Sequence, residues 1–195
     1  MPDLVGTDTR LSPKALVFPK SEVMMTFSTD PNDPDCNIMK PAKKEYPKRA
    51  VIGIRPYDAR ALQILKLNYD NGDYQDPYFL DAYEAITFVG LAVQNPSSTD
   101  FSTSCGTGPF DEKGLDVLLV AAGEEGDFYA KILTDKGDAW AKAAGFSKEA
   151  GSDVATRIDA MKKAAEESIT SKIAFDKIEK KTVLELFEAD HWENA

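Results

Sequence analysis

The sequence predicts an α/β fold, in which a mixed sheet is flanked by helices and the C-terminal third is helical. Near-continuous apolar runs at residues 50–54 and 85–93 are typical of buried strands, and helical patterns lie between them. A third apolar run is followed by an alternating segment, and helical periodicity dominates from residue 135 onward. We therefore expect a sheet core over residues 1–134 and a helical region over 135–195 that packs on it within the same domain.

The strand–helix–strand order of the central region predicts parallel strands. Asp58 is a suitable N-cap for a helix over residues 59–67, and Asp76 followed by Pro77 opens a second short helix. Parallel neighbours need a crossover connection, and helices usually supply it. The two strands that enclose these helices are therefore expected to pair in parallel, inside a sheet that is covered on both faces.

The later segments predict an antiparallel strand and further helices. Residues 128–134 alternate, and we expect them to pair antiparallel with 115–120 across a turn at 123–126. Thr182 and Glu185 form a capping-box pattern ahead of a short apolar run. Before it, one helix carries an apolar stripe at spacings of three and four residues, as a buried face requires. The members of this stripe are Val154, Ile158, Met161, Ala165, Ile169 and Ile173.

The chain is acidic and holds few residues that bind transition metals. It has 195 residues, with 23 Lys and Arg against 33 Asp and Glu, and a net charge of −10. A surface of this charge repels phosphate backbones, so nucleic acid is not an expected partner. Cys36, Cys105 and His191 are too few to hold an iron–sulfur cluster from this chain alone, and no spacing suggests a zinc site. His191, between acidic neighbours, is expected to be a solvated side chain.

The sequence pattern favours a cytoplasmic protein without a membrane span. No basic segment followed by an apolar one marks a secretory signal near the start of the chain. The apolar run at 85–93 is about half of the roughly 20 residues that a spanning helix needs. In a reducing compartment the two cysteines are expected to remain free thiols.

Two segments carry the candidate binding residues. Arg55 and Asp58 follow a strand end, where they could hold an anionic group or form a structural pair with a helix cap. Cys105, Gly106 and Gly108 lie in a loop that could turn its amides toward an anion, or could be a tight loop with a packed thiol. No nucleophile elbow, zinc-protease helix or P-loop occurs, so no catalytic residue and no metal ligand is assigned.

Several short motifs occur in an order that resembles one protein family. The chain is similar to the iron–sulfur electron-transfer proteins related to the β subunit of sulfhydrogenase and to the A component of anaerobic sulfite reductase, over roughly residues 13–137. The motifs are Pro-Lys-Ala-Leu-Val-Phe-Pro-Lys-Ser-Glu at 13–22, Gly-Ile-Arg-Pro-Tyr-Asp-Ala-Arg-Ala-Leu at 53–62, Asp-Pro-Tyr at 76–78, Val-Gly-Leu-Ala at 89–92, Thr-Ser-Cys-Gly-Thr-Gly-Pro-Phe at 103–110 and Gly-Leu-Asp-Val-Leu-Leu at 114–119.

The chain departs from this family at the positions where the family carries thiols. The resemblance places a cysteine at Tyr57 and further cysteines at Val93, Ser97, Asp100 and Ser102, whereas Cys105 stands where methionine is common. Iron–sulfur clusters are held by cysteine thiolates, which these side chains do not replace. We therefore expect this polypeptide to be free of clusters.

The resemblance implies a role in electron transfer that other chains would complete. It predicts a non-catalytic scaffold or docking domain of an anaerobic hydrogenase-like or sulfite-reductase-like complex, with the apolar surface of its C-terminal helices as docking face. The 4Fe–4S clusters and flavin would belong to iron–sulfur and flavin-containing partner subunits, or to a ferredoxin-like C-terminal part that the chain lacks. The alternative is an α/β domain that binds a small anionic ligand through Arg55, Asp58 and the loop at 105–109.

Overall fold

A computed structural model describes residues 12–121, 127–146, 149–175 and 182–188. The expected α/β architecture with a mixed sheet and C-terminal helices is confirmed. The strands are β1 (Met25–Thr26), β2 (Lys40–Pro41), β3 (Arg49–Ile54), β4 (Ile86–Leu91), β5 (Val117–Ala121) and β6 (Phe128–Ile132). The helices are α1 (Pro56–Tyr69), α2 (Pro77–Glu84), α3 (Asp135–Ala143), α4 (Ser152–Ser168) and α5 (Val183–Phe187).

The main sheet has the strand order β3-β4-β5-β6. β3, β4 and β5 run parallel, and β6 pairs antiparallel with β5, so both pairing predictions are confirmed. The predicted turn at 123–126 lies outside the described residues. β1 and β2 form a separate antiparallel ribbon. The crossover from β3 to β4 runs through α1 and α2, which places the start of α1 at the carboxyl edge of the sheet.

Helices cover both faces of the main sheet, which explains why its central strands are apolar on both sides. On one face Phe88, Leu118 and Val120 join a buried cluster with residues of α1, α2 and α4. On the other face Val89, Leu91, Val117 and Leu119 pack with Trp140 of α3.

The predicted stripe of α4 is its buried face. Val154, Ala165 and Ile169 are buried, and Ile158 and Met161 pack against the same cluster as α1 and α2. Ile173 lies beyond the end of the helix and remains partly exposed. The capping box of α5 is also confirmed, since the Thr182 hydroxyl accepts the Glu185 amide and the Glu185 carboxylate accepts the Thr182 amide.

Asp116 links the two central strands to the region where β6 meets α3. Its buried carboxylate accepts hydrogen bonds from the Phe88 amide at 2.8 Å and from the Thr134 hydroxyl. Its backbone carbonyl accepts the Leu133 amide at 2.9 Å. A Cβ atom at Gly137 would lie 2.1 Å from that carbonyl oxygen, so α3 approaches β5 closely because this residue has no side chain. Within the described ranges, no helix is long and apolar enough to cross a membrane.

Candidate functional site

The first turn of α1 brings the predicted binding residues to the carboxyl edge of the sheet. The helix begins at Pro56, with Arg55 as its N-cap, so the prediction that Asp58 is the cap is wrong. The ring of Pro56 presets a helical φ and needs no amide partner, so the helix starts before the carboxylate. Asp58 instead lies in the first turn, where a negative charge complements the helix dipole.

A cavity of about 610 Å³ opens beside this first turn. One wall is formed by α1, and the other is formed by the segment that follows β4. The cavity has polar groups around apolar and aromatic walls, a composition that suits an organic ligand. Its lining residues are Tyr57, Asp58, Arg60, Ala61, Ile64, Val93, Asn95, Ser97, Thr99, Asp100, Phe101, Ser102, Cys105 and Thr107.

The five positions that the family resemblance assigns to cysteine all line this cavity. They are Tyr57 on α1, Val93 after β4, and Ser97, Asp100 and Ser102 on the following loop. The side chains present do not fit an iron–sulfur cluster, since the lining contains one thiol, Cys105, where such a cluster usually takes four. Among the residues that the structure describes, no three His, Cys, Asp or Glu side chains are grouped as metal ligands.

Two amides of the glycine loop form hydrogen bonds within the loop. Residues Ser102–Cys105 form a 3-10 turn that ends at Gly106, whose φ of 69° is the left-handed conformation that glycine adopts readily. The Gly106 amide donates to the Thr103 carbonyl at 3.4 Å, and the Thr107 amide donates to the Ser102 carbonyl at 3.3 Å. These two amides are therefore turned into the loop rather than toward an anion.

The chain after α4 holds this loop in place. The Ser104 hydroxyl accepts the Ile173 amide at 3.1 Å, and the Lys172 ammonium donates to the Thr103 hydroxyl at 3.1 Å. The Gly108 backbone lies against α4, because a Cβ atom there would be 3.3 Å from the Glu166 carboxylate. The wall of the cavity thus depends on contacts between segments that are distant in sequence.

Arg55 and Asp58 belong to two adjoining cavities. Arg55 is 5% exposed and lines a small cavity of about 40 Å³. This small cavity shares Val93 and Asn95 with the larger one, which Asp58 lines. Burial raises the pKa of the Asp58 carboxyl above its ordinary value, and the positive charge of Arg55 opposes this shift.

We expect Asp58→Asn to raise the melting temperature at pH 7 and to change it little at pH 3. The folded protein has the higher pKa, so it binds more protons than the unfolded chain from about pH 3.8 up to the folded value. Stability is therefore lost as the pH rises through that window, and the loss persists at neutral pH. Thermal denaturation followed by circular dichroism at both pH values measures the effect.

Asp153 supplies a matched control because it is an exposed carboxylate in the first turn of α4. Asp153→Asn is expected to lower the melting temperature slightly at pH 7, since it only removes a favourable charge from a helix N-terminus. An Asp58→Asn variant that melts below the parent protein at pH 7 contradicts the expectation.

Sequence patterns identify Asp58 and Cys105 as candidate binding residues, but they do not identify Asn95, Phe101 and Ile64, which also line the cavity. A signal for two of them exists, because Asn95 and Phe101 lie on the loop after a predicted strand, where ligands of α/β sheets gather. His191 lies outside the described residues.

Comparisons with protein-family models, with curated proteins and with solved structures found no match to this chain.

Proposed function

We propose that this chain is a cluster-free scaffold or docking domain of an anaerobic iron–sulfur electron-transfer complex. The complex would be of the hydrogenase-like or sulfite-reductase-like kind and would work in the cytoplasm. Its clusters and flavin would belong to partner subunits, and this domain would supply no catalytic residue.

One observation carries the proposal. Tyr57, Val93, Ser97, Asp100 and Ser102 are spread over three segments of the chain, and all five line one cavity. These are the positions at which the resembled family carries thiols. Such convergence is expected if the domain keeps the backbone of a cluster-binding protein whose ligands have been replaced.

The apolar surface of α5 supports the docking role. Val183 is 85% exposed and Phe187 is 79% exposed, and Leu184 between them is also exposed. Neighbouring exposed apolar side chains on one short helix form the kind of patch that serves as an interaction surface. This surface lies in the C-terminal third, where the sequence led us to expect the docking face.

A tagged full-length chain, purified anaerobically from its native host, is expected to bring down partner polypeptides with iron, acid-labile sulfide and flavin. The double variant Leu184→Glu with Phe187→Glu is expected to lose these partners at least tenfold, because two charges would be buried in an apolar contact. Leu67→Glu, on an exposed position of α1, is the control and is expected to keep them.

Metal analysis and visible absorption of the purified fractions measure this result. A parent chain that elutes as a lone, colourless species contradicts the docking role. Retention of the partners by the Leu184→Glu, Phe187→Glu variant would show that the α5 surface is not the docking face.

The arrangement around α1 favours a second candidate, a domain that binds a small ligand. Asp58 and Cys105, both predicted from sequence, line the same cavity, and Arg55 lies in the adjoining one. The anionic ligand expected from the sequence would place its negative group near Arg55 and the start of α1. Titration with a nucleoside monophosphate tests this candidate, which requires the phosphate group to strengthen binding.

A further inference from the structure

We propose that the cavity beside α1 binds a heterocyclic ligand of about nucleoside size that carries no negative charge and presents several N–H and O–H donors. The proposal concerns the same cavity as the second candidate above, assigns it a ligand without negative charge in place of the anionic one, and goes beyond the docking role. It is independent of the partners that the domain recruits, so either proposal can fail without the other.

The size of the cavity is the first argument. The cavity is open to solvent on one side, and its volume of about 610 Å³ lies within the range of small-molecule sites. Apolar side chains do not fill this space at the five positions where the resembled family carries cysteine, since three of the five residues are the polar Ser97, Asp100 and Ser102.

Ser102 provides the second argument. It is 7% exposed, it lines the cavity, and its hydroxyl is buried without a hydrogen-bond partner in the described part of the chain. Its backbone amide is already bonded to Asp100 at 2.7 Å, so the turn that carries it is fixed. A buried hydroxyl without a partner is costly, and a change of its χ1 rotamer toward a bound ligand would satisfy it.

The charges in the lining argue against an anionic ligand. Asp58 and Asp100 supply two carboxylates, whereas Arg60 is the one cation in the lining and donates to Gln63. The positive end of α1 is already complemented by the carboxylate of Asp58 in its first turn. The lining is therefore richer in acceptors than in free positive charge, and a ligand that donates hydrogen bonds matches it.

The apolar part of the lining favours a flat ring system. Tyr57 and Phe101 contribute aromatic rings, and Val93, Ala61 and Ile64 contribute aliphatic surface. Phe101 and Ile64 are about half exposed, so a ring placed in the cavity would cover apolar surface that now faces solvent. Stacking of a heterocycle on an aromatic side chain is favourable because every such ring presents a π face.

Isothermal titration calorimetry of the full chain with guanosine and with adenosine tests the proposal. At least one nucleoside is expected to bind with a submillimolar Kd, and its 5′-monophosphate is expected to bind at least fivefold more weakly. Ser102→Ala is expected to weaken nucleoside binding about fivefold, in line with the loss of one hydrogen bond.

Two substitutions on α1 locate the binding. Ala61→Trp, at an exposed position that lines the cavity, is expected to abolish it by filling the space. Leu67→Trp, at an exposed position of the same helix away from the cavity, is expected to leave it unchanged. Circular dichroism verifies that both variants remain folded.

Any one of three results would overturn the proposal. The first is that neither nucleoside binds at millimolar concentration. The second is that the monophosphate binds more tightly than the nucleoside, which would favour the anionic ligand. The third is that Ala61→Trp binds as well as the parent chain. Each of these results leaves the co-purification experiment intact, so failure of the two proposals can be told apart.

Discussion

The combined substitutions Val93→Cys, Ser97→Cys, Asp100→Cys and Ser102→Cys are expected to make this domain bind an iron–sulfur cluster. All four positions line one cavity, so the new thiols would lie along the wall of the same space. Cysteine thiolates in such a group are the usual ligands of a 4Fe–4S cluster. A variant that also carries Tyr57→Cys adds the fifth position that the family resemblance identifies.

Anaerobic reconstitution with ferrous iron and sulfide, followed by visible absorption and metal analysis, measures this outcome. We expect broad visible absorption and about four iron atoms per chain in the four-cysteine variant, and neither in the parent chain. The control carries four cysteines at exposed positions that do not line the cavity. These substitutions are Asn32→Cys, Glu45→Cys, Asp73→Cys and Ser98→Cys.

Comparison of the cavity variants with the surface control separates two explanations of iron uptake. If only the cavity variants bind iron stoichiometrically, the backbone has the shape of a cluster site. If the cavity variants and the control bind equal amounts of iron, the binding is adventitious and due to surface thiols. A four-cysteine variant that folds but takes up no iron contradicts the proposal that this domain keeps the backbone of a cluster-binding protein.

The fold could be predicted because its central strands are apolar on both faces. β4 and β5 are nearly continuous runs of buried residues, a pattern that requires helices above and below a sheet. The stripe on α4 and the capping box of α5 likewise depend on neighbours in sequence, and both could be recognised from spacing alone.

The start of α1 shows where local signals compete. Asp58 is a good capping residue, but Pro56 two positions earlier also begins helices well, and the structure starts the helix there. Spacing alone does not decide between two acceptable starts. The difference matters for the site, because it moves Asp58 from the cap into the first turn beside the cavity.

The cavity itself could not be predicted from residue patterns. Its outer wall is a loop whose position depends on hydrogen bonds from residues 171–173 to Ser98, Thr103 and Ser104. Such long-range contacts leave no periodic trace in the sequence. The family resemblance, by contrast, singled out five positions without indicating their shared location, and the structure brings them together.

Asp116→Ala is expected to destabilise the domain by about 3 kcal/mol or more, the largest loss of stability that we predict for a single substitution. The buried carboxylate accepts the Phe88 amide and the Thr134 hydroxyl, and its removal leaves the Phe88 amide buried without that acceptor. Urea denaturation followed by circular dichroism measures the change. Asp159→Ala, at an exposed position of α4, is the matched control and is expected to change stability by less than about 0.5 kcal/mol.

Asp116→Asn tests whether the acceptor geometry or the charge is responsible. The asparagine oxygen can still accept the Phe88 amide, and its amide group can donate to the Thr134 hydroxyl once that hydroxyl reverses its role. The Thr134 oxygen also accepts the Gly137 amide at 3.2 Å, so it must accept twice, which its two lone pairs allow. We therefore expect Asp116→Asn to cost clearly less than Asp116→Ala. Equal losses for the two variants would show that the negative charge, rather than the hydrogen-bond network, holds β4, β5 and α3 together.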